Sequence, residues 1–300
     1  MSALLVRIIV GCISRLPPPG RARIASLIGI LVYSLGIRRK VTLENLAAAF
    51  PEKSVRERRQ IARLAYINMA HAVLDGLTFD GLQTGVANPL NDVENWDGFQ
   101  KYLDRGAGVL IATAHFGSWE LMAKVMAHQG VPLHAVVRPL KGALNAKLSE
   151  NRVTSGMHLI FPGGAIRQSL KALRKGHIVA MLIDQSLPHP SALWVPFFGR
   201  SASMTPAFAM VALKSKAPVF IAVALREGSK VRLQIEGPVN FEPAESFSDN
   251  VQRLSEQVTA RLEKLIRLHP EQWLWLHRRW KISAAQQSSN VDPKGKPEVN

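Results

Sequence analysis

Residues 108–125 read GVLIATAHFGSWELMAKV. Gly108 to Ala114 is uncharged, apolar and bounded by glycine, the signature of a short strand buried on both faces. His115 follows at once, and from about Ser118 to Gln129 the spacing changes to that of a helix. The segment therefore predicts a strand that hands His115 to its tip and sets Glu120 in the first turn of the next helix.

The same alternation continues outward from this segment. VPLHAVVR (131–138), MHLIF (157–161) and HIVAMLID (177–184) read as strands. LKGALNAKLSENRVTSG and AIRQSLKALRKG between them have helical spacing. A long Pro- and aromatic-rich stretch, SLPHPSALWVPFFGRSASM, reads as a loop before a helix ending near Lys216. APVFIAVAL and KVRLQIEG are strands separated by Arg226–Ser229, an expected antiparallel pair, and an amphipathic helix follows over about Asp249–Leu268. Upstream, VTLENLAAAF runs as a helix to Pro51, and Ser54 is a candidate N-cap for a second. Residues 81–92 read as a loop. Continuous apolar strands alternating with helices predict an α/β fold: a mixed, mostly parallel sheet covered by helices on both faces.

The charge is distributed unevenly. The 300 residues carry a formal net charge of +16, which calls for an anionic partner. Residues 1–40 contain Arg7, Arg15, Arg21, Arg23, Arg38, Arg39 and Lys40 and no acid. Two apolar stretches, Ser2–Leu16 and Ile24–Ile37, lie among these cations, separated by Pro17-Pro18-Pro19-Gly20. The longer charge-free run has fourteen residues, short of the roughly 18–20 that span a bilayer. Apolar helices laced with arginine fit a segment lying in the headgroup layer of an anionic membrane. A core-facing helix pair with a solvated basic face is the alternative. Three parts are expected: a membrane-associating segment over 1–40, a folded domain over 41–282 and a disordered tail over 283–300. The single cysteine, Cys12, excludes an intrachain disulfide and a cysteine-built zinc site.

Ligands in open α/β sheets gather beyond the carboxyl ends of the strands, and His115, Arg138 and Asp184 each fall at such an end. His115 and Glu120 form an HxxxxE pattern. With nine histidines and 22 acids in the chain, chance supplies that spacing readily, so its location carries more weight. A carboxylate that accepts from one imidazole nitrogen fixes the tautomer and leaves the other nitrogen as a base. With no protein nucleophile alongside, the group to be activated would be a substrate hydroxyl. His128, His134, His158 and His177 show no metal-ligand spacing and read as structural. FPGGAIRQS lacks the lysine and glycine spacing of a phosphate-binding loop.

AHFGSWE resembles the acceptor-deprotonating motif of the lysophospholipid acyltransferase superfamily, in its lipid A biosynthesis (lauroyl/myristoyl) acyltransferase branch. VTLENLAAAFPE, RP followed by NRVTSG, RKGHIVAMLIDQ, VPFFGR and HPEQWLWLHRRWK resemble further blocks of that family in the same order, over about residues 41–281. Ser118 stands where asparagine is more usual. The resemblance implies a glycerolipid acyltransferase-like fold and transfer of an acyl chain from acyl carrier protein to a hydroxyl of a membrane glycolipid. It also implies His115 as the base and Glu120 as its orienting carboxylate, with no cofactor beyond the acyl donor and no metal. Such an enzyme would act at the cytoplasmic face of a bacterial inner membrane.

Arg138 and Arg152 are candidates to bind phosphates of the acceptor, since guanidinium forks match phosphate oxygens, with a solvated strand-end and helix charge as the alternative. Asp184 and Gln185 would shape the site or position the donor, with a turn-forming aspartate as the alternative. Arg200 would meet phosphate from the loop, while Phe197 and Phe198 line an acyl groove or pack on the core. Trp273, Trp275 and Trp280 beside Arg278, Arg279 and Lys281 suit an interfacial belt or burial against the sheet. Acyl-coenzyme A is the alternative donor, and other glycolipids or lysophospholipids are alternative acceptors. A non-catalytic lipid-binding protein leaves the His–Glu pair without a use. Nucleic acid is not expected, because the basic residues collect at the two chain ends beside apolar segments.

Overall fold

A computed structural model describes residues 2–78, 93–127, 130–139, 141–187, 190–228 and 230–280. The expected loop at 81–92, the tail from 283, His128 and Lys281 lie outside the described residues.

Four helices come first: α1 (Ala3–Ser14), α2 (Pro18–Ser34), α3 (Arg39–Ala49) and α4 (Val55–Thr78). Pro17 to Pro19 end α1 and start α2, because proline cannot continue a helix but fits its first turn. Ser54 and Glu57 form a capping box on α4: the Glu57 amide donates to Ser54 Oγ, and the Ser54 amide donates to Glu57 Oε2 at 2.7 Å. The alternating region holds β1 (Val93–Glu94), α5 (Trp96–Asp104), β2 (Val109–Thr113), α6 (Trp119–Ala127), β3 (Leu133–Val136), α7 (Ala143–Thr154), β4 (His158–Ile160), α8 (Ala165–Arg174) and β5 (Ile178–Leu182). It continues through β6 (Leu193–Phe197), β7 (Arg200–Met204), α9 (Ala207–Ser215), β8 (Val219–Glu227), β9 (Lys230–Glu236) and α10 (Phe247–Leu268).

Seven strands form one sheet in the order β1-β9-β8-β2-β5-β3-β4. β8, β2, β5, β3 and β4 run parallel, and β9 pairs antiparallel with β8. Successive residues of β2 feed opposite cores. Leu110 and Ala112 pack toward α8, α9 and α10, while Val109 and Ile111 pack toward α5 and α6. Both faces are therefore covered, as the continuous apolar strands predict.

The Pro- and aromatic-rich stretch is not a loop. β6 and β7 pair there as an antiparallel hairpin separate from the main sheet. Its two-residue turn is Phe198-Gly199, both at positive φ, the geometry that matches the twist of paired strands. Phenylalanine is a costly occupant of that conformation, so no turn signal was visible in the sequence. Contacts from α10 help hold it: the Phe198 amide donates to Glu263 Oε2 at 2.6 Å, and the Arg267 guanidinium lies 4.4 Å from its ring centre.

α1 and α2 pack against α4, with Val6 and Val10 of α1 meeting Leu77. α2 crosses α4 closely at Gly29, where a Cβ would come 2.6 Å from the Ile67 Cα. Their outer faces leave Leu4, Ile8, Leu27, Leu31 and Leu35 exposed. Among the described residues no single helix is long and apolar enough to cross a membrane, and α2 and α3 meet at a bend of 90°.

Candidate active site

β2 and β5 are neighbours in register, with Thr113 beside Leu182. Two residues further on, their ends carry His115 and Asp184. The Asp184 Oδ1 accepts from His115 Nδ1 at 2.9 Å, and Oδ2 accepts from the His115 backbone amide at 3.0 Å. Oδ2 also accepts from the Trp273 indole at 2.9 Å. Burial pushes the Asp184 pKa upward, but the adjacent His115 charge and these three hydrogen bonds outweigh it and hold the carboxyl below its ordinary value. Asp184 is thus an anion fixed on one imidazole nitrogen. An Nδ1–H donating to it leaves the Nε2 lone pair as the ring's acceptor. The Gln185 side-chain amide lies 3.4 Å from Nε2, and the His115 side chain is 22% exposed.

The segment after β2 is clamped on both sides. Gly117 sits at φ +56°, and a Cβ there would fall 1.8 Å from the Ala224 carbonyl oxygen of β8. Gly117 donates to the Gln272 carbonyl and Ser118 donates to the Ala224 carbonyl. The Leu274 amide donates to the His115 carbonyl. The residues that follow α10 therefore wall the site; Trp273 and Trp275 among them are core groups, and Trp280 is half-buried. Trp273 is 2% exposed and Trp275 is fully buried, so these two form no interfacial belt. Trp273 escapes a purely structural role only through its bond to Asp184.

Glu120 does not orient His115. Its Oε2 accepts from Arg152 Nε at 3.0 Å, and its Oε1 accepts from Arg152 Nη2 and the Trp119 indole. In the first turn of α6, its stem lies against Gly76 of α4 and its carboxylate reaches α7. The orienting contact expected of Glu120 is made by Asp184. Trp119 links the two pairs, because its ring meets His115 edge-on at 5.5 Å between centres.

The remaining candidates divide in the same way. His115, Asp184 and Gln185 come together, with Glu120 and Arg152 beside them. Arg138 lies two residues beyond β3, itself next to β5, but is exposed and makes no ion pair among the described residues. Arg200 starts β7 and lies over the Trp280 ring. Phe197 and Phe198 pack in the core. His134 stacks between His158 and His177 at the sheet edge away from His115. Among the described residues, no group of three or more His, Cys, Asp or Glu is arranged to hold a metal ion.

Several site residues carried no signal in the sequence. Arg226, at the end of β8, pairs with Asp75 and donates to Ser118 Oγ at 2.8 Å. Buried Lys124 donates to the Asp75 and Gly76 carbonyls near the end of α4. His277 Nε2 accepts from the Ser186 amide at 3.1 Å, and burial lowers its pKa to about 4, so the ring is neutral. These partners are separated by 48 to 151 positions in the chain, and spacing rules reach only a few residues.

The sequence profile of the bacterial lipid A biosynthesis acyltransferases matches residues 2–282. The lipid A biosynthesis palmitoleoyltransferase of Escherichia coli K12 is 26% identical over 288 residues, 92% of this chain and 89% of that protein. The lauroyltransferase of the same organism is 29% identical over 280 residues, 89% and 87% of the two chains. A phosphatidylinositol mannoside acyltransferase of Mycolicibacterium smegmatis is 22% identical over 194 residues, 63% and 62%. The chain belongs to the bacterial lipid A biosynthesis acyltransferase family, and it is an acyltransferase.

Proposed function

We propose that this acyltransferase moves a fatty acyl chain from an acyl carrier protein thioester to a hydroxyl of a lipid A precursor, with His115 as the general base. The observation that carries the reading is the 2.9 Å contact between His115 Nδ1 and the buried Asp184 carboxylate. It leaves Nε2, which the Gln185 side-chain nitrogen approaches at 3.4 Å, as the ring's proton acceptor.

The acceptor hydroxyl gives its proton to His115 Nε2 as its oxygen attacks the thioester carbonyl carbon. The new C–O bond forms and the C–S bond breaks. The imidazolium then returns the proton to the departing thiolate. Asp184 stabilises the imidazolium and preserves the productive tautomer, and Glu120, clamped by Arg152, supports the start of α6. Transfer is direct. Ser118 Oγ is engaged by Arg226, Ser186 Oγ pairs with Ser203, and Cys12 is exposed on α1. A positioned base contributes about 10²–10⁴ in rate, so binding and positioning of both substrates supply the rest.

The names of the relatives support a lipid acceptor, and the exposed apolar faces of α1 and α2 support a place at the membrane. With arginines among them and no acid before Glu44, these helices suit the headgroup layer of the cytoplasmic leaflet. An apolar cavity of about 300 Å³ between α1, α2 and α4, bordered by Leu144 and Leu276, offers space for alkyl chains. The positive charge matches an acidic carrier protein as donor.

The test is transfer in detergent micelles from labelled acyl carrier protein to a hydroxylated lipid A precursor, comparing the natural chain with His115→Ala. Transfer that collapses in the folded variant supports donor, acceptor and base together. Near-normal transfer by His115→Ala removes the base assignment. No transfer by the natural chain removes this donor–acceptor pair, and acyl-coenzyme A with other glycolipids would be tried next.

A further inference from the structure

A hollow of about 460 Å³ lies between α3, the start of β7 and the end of the chain's described part, lined by Lys40, Asn45, Arg200, Arg278, Trp280 and Glu44 among others. Neither Arg200 nor Arg278 has a carboxylate partner among the described residues. Arg200 is held over the Trp280 ring at 5.6 Å, and Lys40 approaches Glu44 only at 4.0 Å with both side chains largely exposed. The three cations outnumber Glu44, the one acid among the described residues of the hollow, and guanidinium groups match phosphate oxygens in geometry as well as charge.

The hollow's surroundings narrow the ligand further. The outer apolar face of α2 and the turn after it exposes Leu27, Leu31, Leu35 and Ile37. The chain then turns through 90° into α3, and Arg38, Arg39 and Lys40 occupy the corner. With α2 against a bilayer, the corner lies at headgroup depth. Asn45 of the hollow donates to the carbonyls of Trp275 and His277, and His277 accepts from Ser186, next to Gln185. Hydrogen bonds through residues 275–277 and Ser186 therefore link the hollow to the surroundings of His115.

We propose that this hollow binds a phosphate ester carried by one of the two substrates, held by Arg200, Arg278 and Lys40 while the reacting group lies at His115. The identity of the ligand rests on the transfer reading above. The two sources are a phosphate on the lipid acceptor and the phosphate of the donor's pantetheine arm.

The experiment compares the natural chain with the double variant Arg200→Gln/Arg278→Gln, whose unfolding temperature should be unchanged because both side chains are exposed. KM is measured for a phosphorylated lipid acceptor, for the same acceptor after phosphatase treatment, and for the donor thioester. Loss of two charge-assisted contacts is expected to raise the relevant KM about ten- to a hundredfold with kcat retained. A rise confined to the phosphorylated acceptor assigns the hollow to the lipid, and a rise confined to the donor assigns it to the pantetheine phosphate. Unchanged KM for both substrates overturns the proposal. Should the double variant fail to fold, Lys40→Gln gives the same comparison. A second readout is independent of turnover: sodium pyrophosphate should raise the unfolding temperature of the natural chain, but not of the variant, at constant ionic strength. Equal shifts in both overturn the hollow, whereas a differential shift without any transfer retains it and removes the transfer reading.

Discussion

His115 Nδ1 and Asp184 Oδ1 lie 2.9 Å apart at the ends of two adjacent parallel strands, and Trp273 holds the second oxygen of the same carboxylate. The pair is built from register: Thr113 faces Leu182, and both chains continue for two residues beyond. Asp184→Asn keeps the shape but loses the charge, and its amide nitrogen favours the opposite imidazole tautomer. We expect kcat to fall about 10²–10⁴-fold with little change in KM. Nitrogen-15 shifts of His115 would report the tautomer directly. A variant with normal kcat and a switched tautomer would remove Asp184 from the positioning role.

The Arg152–Glu120 pair predicts a different kind of defect. Both side chains are mostly withdrawn from water, at 19% and 4% exposure, and removing one partner of such a pair leaves an uncompensated charge. Arg152→Met should lower stability by about 3–5 kcal/mol, read from urea unfolding. Adding Glu120→Gln should restore part of the loss. If Arg152→Met unfolds at the natural urea midpoint, the pair is not what holds α7 against α6.

Local patterns made much of this architecture readable. The period of β2, the capping box at Ser54 and the proline break between α1 and α2 each depend on residues a few positions apart. His115 was readable as a strand-end histidine for the same reason. Two carboxylates compete as the partner of His115: Glu120 is five residues away in sequence, and Asp184, which makes the contact, is one strand away in space. Only the order β2-β5-β3 decides between them. The hairpin of β6 and β7 was missed because its turn uses Phe198 at positive φ, a choice stabilised by Glu263 and Arg267 from α10. Trp273 looked equally suited to a membrane interface or a core. Its bond to Asp184 depends on the path of the chain after α10, which no periodicity encodes.

The stacked histidines predict how stability depends on pH. His134 Nε2 lies 3.0 Å from His177 Nδ1, and its ring stacks on His158. Burial, then the neighbouring His158, His177 and Lys175, lower the His134 pKa from 6.5 to about 4. The unfolded chain therefore takes up a proton near pH 6.5 that the folded chain refuses until about pH 4. The His134 contribution to stability is intact above the upper value and is lost progressively as pH falls toward the lower one. The lowered pKa values of His71 and His277 act in the same direction. Unfolding temperature should fall between pH 7 and pH 5, and His134→Leu should make that fall shallower. An equally steep fall in the variant would show that the stack does not resist protonation.

The apolar face of α2 gives the remaining prediction, about where the chain resides. Leu27 and Leu31 are 66% and 57% exposed, so replacing both with aspartate should leave the packing on α4, which runs through Gly29, unchanged. Burying each leucine in a bilayer would contribute about 1.5–3 kcal/mol, and each aspartate would add repulsion from anionic lipid. The double variant should leave vesicles containing anionic lipid in a flotation assay while keeping its unfolding temperature. Salt separates the two contributions. Attraction of Arg7, Arg15, Arg21 and Arg23 to the surface is screened beyond about 8 Å at physiological ionic strength, whereas apolar burial is not. The natural chain should therefore bind more weakly in high salt without full release. Complete release by salt would mean that charge alone holds the chain to lipid. Undiminished binding of the double variant would place the contact on another face.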